Sequence, residues 1–163
     1  MSARAQIGAV AAALSLTAGA ALGQDAPPAP PKTLDQAGVQ AWINANLAHD
    51  GWPLIEVDRL GVTFGGPDGI KSLPDGTLQA QIRREYFGPD NLGPMNTRSS
   101  LQTWNVDCKG PRLRITAMQI FQLNNLGGLS DARDDANAPW NPPRAGMNAQ
   151  IVSKMCAMQA AKP

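Results

Sequence analysis

The stretch Ser100-Leu101-Gln102-Thr103-Trp104-Asn105-Val106-Asp107-Cys108, then Lys109-Gly110-Pro111, then Arg112-Leu113-Arg114-Ile115-Thr116-Ala117-Met118-Gln119-Ile120-Phe121, decides the fold. Apolar and polar residues alternate on both sides of a Gly-Pro turn, which is the pattern of an antiparallel hairpin. Pairing Val106 with Leu113 sets Trp104 opposite Ile115 and Gln102 opposite Ala117. Trp104, Val106, Cys108, Leu113 and Ile115 then share one face. The same register puts Asp107 opposite Arg112, Asn105 opposite Arg114 and Thr103 opposite Thr116 on the reverse face. A slip of one residue would exchange the two faces, so the pattern specifies its own pairing.

Cys108 falls on the apolar face, and its partner must come from whatever covers that face. Residues Gly146 to Ala160 supply the cover. Met147, Ile151, Met155 and Met158 recur at helical spacing, with Val152 and Cys156 alongside. A helix laid across the sheet places Cys156 over Cys108. Closing a loop of this length stabilises the fold by roughly 4 kcal/mol in the chain-entropy account. The N-terminus points to a compartment where such a bond lasts. Arg4 precedes an uncharged run from Ile7 to Leu22, and Ala21-Leu22-Gly23 offers small residues for cleavage. Residues 1–23 are therefore expected to be a signal peptide, with the mature protein periplasmic or secreted and Cys108 bonded to Cys156. The run is too short and too rich in Ala and Gly for a membrane span. No cysteine follows it, so no lipid anchor is expected.

Residues 24–32 (QDAPPAPPK) read as a proline-rich linker. An N-terminal helix is expected over 33–51. Thr33 and Gln36 form a capping box, Val39, Trp42, Ile43 and Leu47 make one apolar face, and Gly51 with Pro53 ends it. Trp42 reads as core. From residue 52 to 160 the chain reads as one domain. Leu54–Leu60 and Val62-Thr63-Phe64 are strands, followed by turns at Gly65–Gly69 and Leu73–Gly76. Thr77–Phe87 alternates Leu78, Ala80, Ile82 and Tyr86 against Thr77, Gln79, Gln81, Arg83 and Glu85. Arg84 interrupts the apolar side and needs a partner or a sheet end. Gly88–Ser99 reads as loop. Asn124–Gly128 reads as a turn that returns a short strand around Leu129–Arg133. The fold class is α+β: an antiparallel sheet, a disulfide-tethered C-terminal helix on one face, and an N-terminal helix.

Composition narrows the function. The 14 basic and 13 acidic residues nearly cancel, which excludes the cationic excess of a nucleic-acid binder or a polybasic membrane-surface protein. The single histidine, His49, sits at the polar end of a helix, and with both cysteines bonded it has no thiol to activate. No nucleophile-elbow pattern accompanies it. Glu56 and Glu85 are the only glutamates, so a glycosidase pair would have to recruit turn aspartates. Asp131, Asp134, Asp135 and Asn137 lack the glycine and terminal glutamate of a calcium loop, and read as a solvated acidic loop. Arg83, Arg84, Arg112 and Arg114 are expected to pair with Asp107 and Glu85. No catalytic residue, metal or cofactor is expected.

Tyr86, Trp104-Asn105-Val106-Asp107-Cys108, Arg112-Leu113-Arg114, Trp140, Pro143 and Cys156 follow one another in an order that resembles the surface-adhesin protein E-like domain family, over about Ile55 to Met158. The resemblance implies an antiparallel sheet packed by a disulfide-tethered C-terminal helix in exported bacterial proteins, whose members are adhesins for host matrix and serum proteins. It implies a non-enzymatic protein-binding domain of the bacterial envelope. The expected partner surface is the reverse face: Thr103, Asn105, Asp107, Arg112, Arg114 and Thr116. The partner is a protein of unspecified identity, and no nucleic acid is expected. The alternatives are a small periplasmic enzyme using aspartates, or an inhibitor or accessory factor of an envelope enzyme.

Overall fold

The computed structural model describes residues 27–90 and 96–160. The expected leader, the first three linker residues and the centre of the 88–99 segment lie outside the described residues. Along the chain come α1 (Gln36–Asn46), β1 (Leu54–Asp58), β2 (Gly61–Gly65), β3 (Lys71–Ser72), β4 (Leu78–Asp90), β5 (Thr97–Asp107), β6 (Arg112–Leu123), β7 (Gly127–Asp134) and α2 (Met147–Ala160). The seven strands form one antiparallel sheet in the order β1-β2-β4-β5-β6-β7, with the short β3 added alongside β4.

The deciding hairpin forms as read, up to one residue. Val106 pairs with Leu113, Trp104 with Ile115, Asn105 with Arg114 and Asp107 with Arg112. Beyond Trp104 the register shifts, so that Thr103 faces Ala117 and Gln102 faces Met118, not Thr116 and Ala117 as expected. Thr116 is the extra residue of a bulge. Its carbonyl accepts the Asp135 N–H at 2.8 Å, where β7 ends, and its hydroxyl donates to the Thr103 carbonyl of β5 at 3.4 Å. The bulge turns Met118 and Ile120 onto the face of Trp104. The strands flanking the expected 88–99 loop also run further than their sequence signals, β4 to Asp90 and β5 from Thr97.

α2 lies on the face of Leu78, Ala80, Ile82, Trp104, Val106 and Leu113, and buries Ile151, Val152 and Met155 against it. Cys108 and Cys156 are disulfide-bonded, with Cα atoms 5.6 Å apart. Lys154 ties the helix to β1, donating to the Ile55 carbonyl (2.8 Å) and to Glu56 (3.0 Å). Met158, expected on the packed side, is exposed in the last turn of α2, near Ile70 and Ser72.

α1 packs on the opposite face and at the opposite end of the sheet. Val39, Trp42, Ile43 and Leu47 meet Val62, Phe64 and Phe87, with Trp42 edge-on to Phe87 at 5.0 Å. Its N-cap is Asp35 and not Thr33: the Asp35 carboxylate accepts the Gly38 N–H at 2.7 Å, and the helix begins at Gln36. Gly38 lets the preceding chain fold tightly over this turn, since a Cβ there would meet the Thr33 hydroxyl and carbonyl. The segment before the helix is tied down by its backbone. Trp42 Nε1 donates to the Ala29 carbonyl (2.7 Å) and Arg98 to the Pro28 carbonyl (2.8 Å).

Candidate functional site

The polar side of β4 does not face water under α1. Arg83, Glu85, Arg98 and Asn124 are all buried. Arg83 donates from Nε to Glu85 at 2.8 Å and from Nη1 to the Ala48 carbonyl at 2.8 Å. Asn124 Nδ2 reaches the second carboxylate oxygen at 2.8 Å, and the Asn125 N–H lies 3.1 Å from both. Burial raises the Glu85 pKa above the ordinary carboxylate value, against the opposing pull of Arg83 and of the amide donors. Burial likewise lowers that of Arg98, with Glu85 opposing. Asn125 completes the assembly. Its Oδ1 accepts the Ala48 N–H at 2.7 Å and its Nδ2 donates to the Asn46 carbonyl at 2.9 Å, so a side chain of the β6–β7 turn caps the C-terminus of α1. Asn125 and Leu126 adopt positive φ angles of 61° and 57° to present these groups. Every polar group here is consumed by structure.

On the α2 face, Arg84 finds the partner its position demanded. It donates to Thr63 at 2.8 Å and to Asp58 at 2.6 Å, and lies 5.2 Å from the centre of the Tyr86 ring. Burial works to raise the Asp58 carboxyl, but hydrogen bonds from Arg84 and from the Leu60 and Gly61 N–H groups outweigh it and hold the pKa below its ordinary value.

The reverse face near the hairpin turn carries a different arrangement. Asp107 and Arg112 are bonded at 2.6 Å across the strands. Hydrogen bonds from Arg112 and from the Lys109 backbone lower the Asp107 pKa. Trp140 lies over both arginines of β6, with the Arg112 and Arg114 guanidinium carbons 5.6 and 4.6 Å from its ring centre. Asn141 fixes this segment by pairing with Leu113 like a strand residue. Arg114 Nε is buried and has no hydrogen-bond partner among the described residues, so the indole face stands in for one. Asn105 is buried and accepts from Gln79 at 3.1 Å, while Thr103 and Thr116 are half-buried beside the bulge. Of the six residues expected on this surface, Asp107, Arg112 and Arg114 thus meet at its accessible end. Trp140 belongs with them, and its role was readable in sequence only as part of the Trp-Pro order.

His49 sits 6.0 Å from the Phe64 ring with Nδ1 3.1 Å from the Leu47 carbonyl. Among the described residues no group of three His, Cys, Asp or Glu side chains is placed to hold a metal ion. No described helix is long and apolar enough to cross a membrane.

No family model and no curated protein matches the sequence. Among solved structures, the fold is similar to protein E of Haemophilus influenzae in two crystal structures. One has 11% identity and a TM-score of 0.44, over 71% of this chain and 98% of that one. The other has 10% identity and a TM-score of 0.42, over 72% and 96%. At this level of likeness, function has to be read from the side chains.

Proposed function

We propose that the chain is an exported, non-enzymatic protein-binding domain of the bacterial envelope, and that it grips its partner through Trp140, Arg112 and Arg114. The observation that carries this reading is the half-exposed indole flanked by two guanidinium groups. Trp and Arg are the side chains most enriched among the few residues that dominate protein–protein binding energy. Asp107 fixes Arg112 in place, and Asn141 fixes the strand-like segment carrying the indole, so little side-chain freedom is lost on docking. The disulfide is in keeping with an oxidising compartment, as the expected leader requires.

The test compares the mature protein with Trp140→Ala and with Arg112→Glu/Arg114→Glu as immobilised bait on envelope extract. The partner captured by the wild type should be lost from both variants at nearly unchanged melting temperature. Capture by both variants at the wild-type level would remove this surface from consideration.

A further inference from the structure

The other face holds a feature that this reading does not use. α2 covers only part of its sheet face, and the bulge at Thr116 turns further apolar side chains onto the uncovered part. The result is an open groove of about 840 Å³, floored by Trp104, Ile115 and Met118 and bounded by Tyr86 on one side. The opposite wall is the irregular segment that leads from Ala138 through Arg144 into α2. Within the floor, Gln102 accepts the Trp104 indole N–H at 2.7 Å and donates from its N–H₂ to the Ser100 hydroxyl at 3.5 Å, which orients the amide.

The charges along this groove do not cancel. Arg84 and Arg144 line it, with Arg114 at its border under Trp140, against one carboxylate, Asp58, which is already engaged by Arg84. Arg144 is exposed and makes no ion pair among the described residues. The groove is open along its length, so an acyl chain lying in it would leave one side in water, whereas small-ligand sites bury most of their occupant. An extended peptide meets both constraints. Its alternate side chains point to opposite sides, so one set can fill the apolar floor while the other reaches the rim.

We propose that this groove binds an extended peptide segment of another protein, one in which apolar residues alternate with acidic ones. The site borders the Trp140 surface at Arg114 but opens between the sheet and the 138–144 segment, and it does not depend on the function proposed above.

The probe is a dye-labelled heptapeptide, Asp-Leu-Asp-Phe-Asp-Leu-Asp, titrated against the mature protein by fluorescence polarisation. Binding should be saturable and should weaken as salt is raised. The matching peptide with lysine in place of aspartate should not bind. Arg144→Glu, at an exposed position, should bind roughly tenfold more weakly or worse, as reversing a charge beside a charged ligand does. Met118→Glu should abolish binding, and Arg112→Glu should leave it unchanged, which separates this site from the Trp140 surface. Equal binding of the lysine peptide, an unaltered affinity in Arg144→Glu, or no saturation would overturn the proposal. So would saturable binding of palmitate without peptide binding, or self-association of the protein abolished by Arg144→Glu.

Discussion

The two helices of this molecule are held to opposite faces of one sheet by opposite means. α2 is attached by a disulfide and by Ile151, Val152 and Met155 on an apolar face. α1 has its own apolar stripe, but its C-terminal end rests on Arg83, Glu85, Asn124 and Asn125, a buried assembly of charges and amides. Apolar packing tolerates substitution in proportion to the volume lost, whereas a buried polar assembly fails when one member leaves the others without partners. The α1 end should therefore be the more brittle of the two.

The largest effect should come from Glu85→Ala. It strands Arg83, Asn124 and the Asn125 N–H in the interior, and losing one partner of a buried ion pair costs up to about 5 kcal/mol. Denaturant unfolding should show it, and a loss under 1 kcal/mol would mean that the buried charges contribute no more than surface ones. Next comes Cys108→Ala/Cys156→Ala, at roughly 4 kcal/mol. That variant should melt earlier while keeping the far-ultraviolet signature of the sheet, and two reactive thiols in the native exported protein would contradict the bond altogether. Asn125→Ala, at about 2 kcal/mol for amide bonds that include a charged neighbour, should loosen α1 selectively, seen as faster hydrogen exchange there than in α2. Asp35→Ala removes a cap and should cost about 1 kcal/mol. The smallest effect is in pH, because Asp58 is about one-third exposed and partly screened. Its lowered pKa means a contribution present above its ordinary value of 3.8 and lost as pH falls through the lowered one, so Asp58→Asn should lessen the acid decline in melting temperature. Glu85 has the opposite sign: its contribution is present below 4.5 and lost as pH rises through the raised pKa, so Glu85→Gln should flatten the other limb.

The same contrast governs what could be read beforehand. The α2 side was legible because alternation and helical spacing both report apolar burial, and Cys108 and Cys156 fell on facing sides without help from the structure. The α1 stripe of Val39, Trp42, Ile43 and Leu47 was legible for the same reason. The pairing of Arg83 with Glu85 was legible, but their burial was not, since a period of two marks them only as the polar side of a strand. Nothing local signals that Asn124 arrives from the β6–β7 turn to bond Glu85, or that Arg98 of β5 donates to Asn124 in turn. The Thr116 bulge was hidden too. Alternation alone reads as regular pairing through Gln102, and no local signal marks the extra residue. On the reverse face, Arg112 and Arg114 were placed by alternation, but Trp140 joins them only through the pairing of Asn141 with Leu113.

One consequence of the Asn125 cap concerns time. The last turn of α1 is completed by a residue 77 to 79 positions further along the chain. Contacts across such a span form late, because the intervening chain must be ordered first. A polypeptide delivered N-terminus first would carry α1 unfinished until the β6–β7 turn had emerged and closed. Throughout that interval Val62, Phe64 and Phe87 would wait uncovered, making this end of the sheet the place where a chaperone or a second unfolded chain would act. Pulsed hydrogen exchange during refolding should find the amides of Val39 to Leu47 protected after those of β4 and β5.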